Sequence, residues 1–543
     1  MKSYKQTLTI LIGTTAMTFA SSAVAQAPDA LTLQVEKSVS KMVVSTEIKR
    51  DSLESLMAVA KPPSNVRRER EKELPRPIPY TGVPKGNALD PVVQTTSQAA
   101  LVGTPRPLAP AATIGRNFDG IGNGFNTFTV ASAPPDTHGA VGSTQFVQMV
   151  NSAFAVFNKA TGARVLGATA INSLFAGFGG KCETANDGDP IVNWDAPAQR
   201  WVITQFAVTP RAAPFLECVA VSKTADATGG YNRYAFSYTN FADYPKFAVW
   251  DNAYVFTFNL FNAAGTAFLG SQVCAYDRAR MIAGLSATQQ CFTTPNTVGS
   301  LLPSDPDGSG PVTAGTPNYL LTLNATSLGL YRFRANFTTP ALTTFTGPTN
   351  IPVAAYTELC SATGTCVTQP GTANRLDALA DRLMSRVSYR RYADGTERLL
   401  ATHSIATGLR WYEIRNPGGA PTVFQQGTFA PTATTRWIGS MGQDRNGNIA
   451  IGYSASSSTT GVSPSLRFAV RGTTDPLGTL GVENVIIAGT GVQTGGLTRW
   501  GDYAAMTVDP VDNCTFWFTS EYMKTTGSFN WNTRVASFRL AGC

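Results

Sequence analysis

Arg499-Trp500-Gly501-Asp502-Tyr503-Ala504-Ala505-Met506-Thr507-Val508, the turn Asp509-Pro510-Val511-Asp512-Asn513, and Cys514-Thr515-Phe516-Trp517-Phe518-Thr519-Ser520-Glu521-Tyr522 form the stretch that decides the fold. An Asp leads into a short apolar strand, a turn built on Asp509-Pro510 reverses it, and an aromatic strand runs back. Looser copies start at Asp136, Asp189, Asp243, Asp305 or Asp307, Asp381 and Arg436. A third strand follows each hairpin, as in Cys218-Val219-Ala220-Val221-Ser222 and Leu409-Arg410-Trp411-Tyr412-Glu413. Fourth strands fit residues 234–238, 343–351, 422–429 and 482–488.

Seven such units, roughly 60 residues apart, predict an all-β fold: a seven-bladed β-propeller of four-stranded antiparallel blades over 116–543. The last unit stops at Cys543 after three strands, so the stretch Phe125-Asn126-Thr127-Phe128-Thr129-Val130 is expected to supply its outer strand and close the ring.

Residues 1–25 have the layout of a signal peptide: Lys2 and Lys5, an apolar run from Leu8 to Ala20, and Ala23-Val24-Ala25 as the cleavage site. Export to the periplasm or beyond follows, with no membrane span expected afterwards. Residues 26–60 space Leu31, Val35, Val39, Met42 and Val43 at helical intervals, which predicts an amphipathic helix or pro-segment. Residues 61–115, rich in Pro, Gly, Thr and Ala, read as a linker.

In an exported chain, 8 cysteines point to disulfides. Neighbour order pairs Cys182 with Cys218, Cys274 with Cys291, Cys360 with Cys366, and Cys514 with Cys543. The last pair joins adjacent antiparallel strands. A formal charge of +8 does not indicate a nucleic-acid partner, because part of it lies in the leader and in Arg67-Arg68-Glu69-Arg70-Glu71-Lys72-Glu73, where signs alternate.

The repeat register gathers strand entries and second-strand ends on one face. Asp136, Asp189, Asp243, Asp381 and Arg382 are the expected substrate-binding residues there, with Arg436-Trp437 and Arg499-Trp500 as anion clamps and stacking platforms. Asp502, Glu521, Tyr522 and His403 are the catalytic candidates, because paired carboxyls with separated pKa values serve glycosidic cleavage. An Asp ahead of a strand also caps its own loop, so a structural role competes at each position. A ring of carboxylates also suits Ca²⁺.

The stretches Pro135-Asp136-Thr137, Asn186-Asp187-Gly188-Asp189-Pro190, Asp243-Tyr244-Pro245-Lys246, Leu376-Asp377-Ala378-Leu379-Ala380-Asp381-Arg382 and Arg499-Trp500-Gly501-Asp502-Tyr503 resemble those of exported bacterial β-propeller proteins of undefined activity. The turn from Asp444 to Tyr453 is remotely similar to the Asp-box hairpin of sialidases, whose substrate requires three converging Arg residues; Arg436, Arg499 and Arg382 are the candidates. The expectation is a monomer with a carbohydrate-directed, hydrolytic site at the strand-entry face. The alternative is a non-catalytic surface or matrix protein that binds a glycan, peptide or Ca²⁺.

Overall fold

The computed structural model describes residues 39–63, 69–70, 90–94, 112–310, 312–361 and 363–543. The leader, the segment up to residue 38 and most of the linker lie outside them. Among the described residues the chain is all-β, and its α-helical segments, Lys181–Thr184 and Arg278–Ile282, are single turns.

The described strands assemble mainly into four-stranded antiparallel units that run outward in chain order from a first strand, except that the last takes its outer strand, Ala112–Asp119, from upstream in the chain. The seven first strands are His138–Val141, Ile191–Asp195, Phe241–Val249, Leu302–Pro306, Val387–Arg391, Thr435–Gln443 and Ala505–Val508. Each lies against the first strand of the next unit, and the seventh lies against the first, so the contacts make a closed cycle. The fourth and fifth units also join through a parallel ladder, Ser304 beside Val387.

The turn after the first strand is often set by an Asp. Asp195 Oδ1 accepts from Ala198 N at 3.1 Å, Asp444 Oδ1 from Asn446 N and Asn448 N at 2.9 Å, and Asp509 Oδ1 from Val511 N at 2.9 Å. These bonds satisfy the turn backbone and leave the flanking strands to alternate. Their apolar residues fill layers between neighbouring units. Val147 and Phe154 of the first pack with Trp201 and Ile203 of the second, and Phe468 of the sixth stacks on Phe538 of the seventh at 3.8 Å between ring centroids.

All four expected disulfides are present: Cys182–Cys218, Cys274–Cys291, Cys360–Cys366 and Cys514–Cys543. No helix among the described residues is long and apolar enough to cross a membrane.

Two expectations need correction. The helix expected before residue 60 is, in its described part, a pair of strands. Val43–Thr46 adds to the outer edge of the third unit, with Val43 opposite Cys291, and Lys49–Leu53 adds to the second, with Leu53 opposite Tyr231. Helical spacing implies a buried apolar stripe, yet Val43 is 59% and Ile48 57% exposed. Backbone pairing to open edges holds this segment, together with a bidentate contact from Arg233 to Asp51.

The outer strand of the seventh unit is Ala112–Asp119, not residues 125–130. Phe125–Thr127 forms a 3-10 turn in which Asn126 and Thr127 take left-handed backbone, φ +44° and +65°, which ends any extended run. The upstream segment instead receives Arg534 Nε at Asn117 Oδ1, 2.6 Å, and donates Arg116 N to Ser537 Oγ, 2.8 Å.

Candidate functional site: the strand-entry hub

Several chain entries into first strands pass through left-handed backbone at a residue other than glycine, Asp136 at φ +44°, Asp189 at +45° and Ser300 at +49°, as do bulges inside two first strands, Tyr244 at +54° and Ile438 at +48°. Such a conformation costs about 1–3 kcal/mol and persists only where its surroundings fix it. Side chains at the ends of second strands supply part of that fixing. Asn151 Oδ1 accepts from Asp189 N at 2.9 Å, clasping the first unit to the second. Asn259 Oδ1 accepts from Ser300 N at 2.8 Å, repeating the clasp from the third unit to the fourth. Asp136 links the ends of the cycle: Oδ1 accepts from Asp502 N at 2.6 Å, and Oδ2 from Asn151 Nδ2 at 2.5 Å.

The carboxylates feel one another. Burial, then Asp136, Asp243 and Asp502, hold Asp189 well above the usual carboxylate range. Burial and Asp502 push Asp243 up to about 6. In their midst stands Lys246, 2% exposed. Its Nζ donates to Pro245 O at 2.8 Å and lies 3.3 Å from the Tyr244 ring centroid and 4.1 Å from that of Tyr503. Burial brings its ammonium down to about 7, against the pull of Asp189, Asp502 and Asp136.

Two arginines complete the hub. Arg382 forms a fork with Asp381 at 2.7 and 2.9 Å, and Arg499 bridges Asp377 at 3.2 Å and Asp502 at 2.9 Å. Glu521 Oε2 accepts from Gly501 N at 2.9 Å, whereas its Oε1 is buried without a partner. Burial and then Asp136 hold this carboxyl well above its ordinary range.

A cap covers the hub. Between the fourth and fifth units the chain is stapled by Cys360–Cys366 and forms a small ladder, Thr365–Val367 with Leu376–Asp377. Asp377 N donates to Thr498 O at 2.8 Å, and Asn374 Nδ2 to Leu497 O at 2.7 Å. Leu359, Val367, Leu376 and Leu379 share one apolar cluster with Tyr244, Trp500 and Tyr503. The result is enclosure: Asp136 is 0%, Glu521 1% and Asp189 3% exposed.

The structure thus brings Asp136, Asp189, Asp243, Asp381, Arg382, Arg499, Asp502 and Glu521 to one face, and it separates the other candidates from them. His403 is enclosed in the fifth unit, bonded through Nε2 to Tyr412 Oη at 2.9 Å; burial and Arg410 hold its imidazole neutral. That corrects its reading as a rim base. Arg436 is corrected likewise: its guanidinium is committed to Glu483 at 2.7 Å and to the Thr432 and Thr434 carbonyls, which removes it as an anion clamp. Trp437 and Trp500 pack against each other, ring centroids 5.5 Å apart, inside the core rather than as open platforms. Tyr522 is buried and reaches Asp119 at 3.5 Å.

Asn151 was expected at this face as a second-strand end, whereas Lys246, Asp377 and Tyr503 escaped the sequence reading as hub residues. A Lys at the head of the apolar run Phe247-Ala248-Val249-Trp250 was the available signal. As for Ca²⁺, no group of three or more His, Cys, Asp or Glu among the described residues is arranged to hold a metal. Asp136 illustrates why, since both its oxygens already accept N–H bonds.

No family model matches the chain, and no curated protein matches its sequence. Among solved structures, a protein of unknown function from Dyadobacter fermentans is 10% identical, covering 79% of this chain and all of its own, with a TM-score of 0.36. The Penicillium chrysogenum alpha-L-arabinanase is 9% identical over 80% of this chain and 99% of its own, at 0.35. The phage phi92 endosialidase is 7% identical over 76% and 69%, at 0.32. Likenesses this distant carry no residue or activity across.

Proposed function

We propose that this chain is an exported, monomeric seven-bladed β-propeller that acts outside the cytoplasm as a non-catalytic, glycan-binding protein, with the strand-entry hub as the structural centre of its ring. The observation that carries the non-catalytic part is the inward bonding of the hub. Asp136 holds the entry of the seventh unit, Asp502 is neutralised by Arg499, Asp381 by Arg382, and the stapled cap lies over all of them. Carboxylates so engaged leave no space for a sugar and a water between them, which glycosidic cleavage needs. Four disulfides and the leader-like N-terminus support export.

A second reading, hydrolysis by Asp502 and Glu521, has specific support: Glu521 keeps one unbonded oxygen and a raised carboxyl, the state of a general acid. The two readings separate in one experiment. The purified protein is screened for turnover of a polysaccharide panel beside Asp502→Asn and Glu521→Gln. The scaffold reading expects no turnover by any of the three, and lower unfolding midpoints in both variants. Wild-type turnover abolished in both variants would overturn it.

A further inference from the structure

The opposite face, where the first strands of the second, third and fourth units end, carries an open cleft of about 180 Å³. An apolar cavity of about 150 Å³ takes one benzene, so this cleft has room for a single ring. Trp194, Pro197, Val249 and Trp250 make its apolar wall, and Arg278 and Asp251 stand at its polar side.

The wall is rigid. Trp194 packs on Trp201 at 4.8 Å between centroids, and Trp250 fixes its indole N–H on Thr316 O at 2.8 Å and its ring on Tyr389 at 5.0 Å. The charges at the polar side are paired. Arg278 forks onto Asp195 with two bonds of 2.7 Å and donates to Asp251 O at 3.1 Å, while Asp251 is held by Arg334. Asp305, also on the lining, accepts from Val249 N at 3.0 Å and pairs with Arg386 at 3.3 Å, so each lining charge has an ion-pair partner. A guanidinium has five N–H groups, three of them used here, and Asp251, which accepts from Arg334 and from Gly315 N, retains lone pairs, whereas Asp195 is filled by Ala198 N, Tyr254 Oη and Arg278.

The occupant that answers this lining is uncharged, one ring in size, apolar on a face and both donor and acceptor on its edge. A sugar ring meets all four demands through its C–H face and hydroxyl rim. An aromatic hydrocarbon ring would leave the remaining Arg278 donors unanswered, and a proline ring offers nothing to Asp251. We propose that this cleft binds a neutral sugar residue of an extracellular glycan, its C–H face on Trp194 and its hydroxyls bonded to Arg278 and Asp251. The proposal rests on reading the chain as an exported binding protein, and it names the site and the ligand class.

The test titrates the full chain with gluco-, galacto-, xylo- and arabino-trisaccharides and with a hexaproline peptide, followed by tryptophan fluorescence and calorimetry. Two variants accompany it. Trp194→Ala removes the platform. Gly310→Tyr closes the cleft mouth at an exposed position where an added Cβ meets nothing within 4 Å, so folding is untouched. The expected result is binding of at least one trisaccharide that weakens tenfold or more in Gly310→Tyr at an unchanged unfolding midpoint, and in Trp194→Ala. Equal binding by wild type and Gly310→Tyr would move the glycan elsewhere on the molecule and overturn the cleft, leaving the exported binding reading intact. Binding of hexaproline but of no saccharide, or of neither, would overturn the ligand class. Turnover of a saccharide that still binds in the cleft would instead break the non-catalytic reading alone.

Discussion

Lys246 is the residue on which the electrostatics of the hub turn. Its ammonium offsets Asp189, Asp502 and Asp136, and burial opposes its charge and theirs alike. The signs follow from linkage. Asp243 has a folded pKa raised to about 6, so the stability it contributes is present below its ordinary pKa and lost as pH rises through about 6. Lys246 has its folded pKa lowered to about 7, so its penalty is full below that value and is relieved as pH rises above it. Removing the cation therefore matters most when the carboxylates are ionised. Lys246→Met is expected to cost about 3–5 kcal/mol at about pH 6.5, where Asp243 is largely ionised and Lys246 still largely charged, the range for breaking a buried ion pair, and clearly less at pH 5. Urea unfolding at the two pH values measures it, and equal losses would refute the coupling.

Asp136 acts by geometry instead. Asp136→Ala orphans the Asp502 and Asn151 donors, at about 1–3 kcal/mol each. Asp136→Asn keeps an acceptor and tolerates left-handed backbone, so it should recover at least half of that loss in thermal unfolding.

At the scale of elements, the N-terminal strands show what an edge requires. Lys49–Leu53 completes the second unit, and the turn after it seats Leu56, fully buried beside Leu174 and Tyr231. Leu56→Ala should cost about 2–5 kcal/mol, as for other buried leucines, although the residue precedes the ring in the chain. Calorimetry of the full chain checks this, and a change under 1 kcal/mol would mean that the segment is detached in solution.

The same elements mark where the sequence stops being readable. Hairpins such as Ile449–Ser457 after Asp444-Arg445-Asn446-Gly447 were legible, because alternation and the Asx turn are local. Val43–Thr46 was not, since its partners Thr288–Cys291 lie some 245 residues away and its apolar side chains stay exposed. The Ala112–Asp119 strand lacked any pattern, and only its pairing with Asn532–Leu540 defines it. In the hub, Asp136, Asp189, Asp243 and Asp502 could be gathered from strand entries. Their partners Lys246 and Asp377, and the cap that encloses them, depend on contacts between units.

At the scale of the molecule, closure determines how it unfolds. A row of sheets buries each layer between neighbours, so its two ends would be open unless they meet. Here the ends meet at several places, among them the ladder of Asn532–Leu540 with Ala112–Asp119, the Asp136 to Asp502 bond, and the buried contacts of Gln148 with Thr519 and Thr533 at 2.7 and 2.8 Å. Cys514–Cys543 pins the last strand beside its neighbour, across 29 residues of sequence. Ending the chain after Asn530 removes that strand, the disulfide and the seat of residues 112–119 together, and it bares Phe118 and the inner aromatic strand Phe516–Tyr522. Since each unit is stable only between two others, the loss propagates to both neighbours. The truncated chain should therefore lose cooperative unfolding altogether rather than keep a six-unit remainder. Circular dichroism melting against the full chain decides the matter: retention of the full-length midpoint would mean that the circle is held without its closing strand.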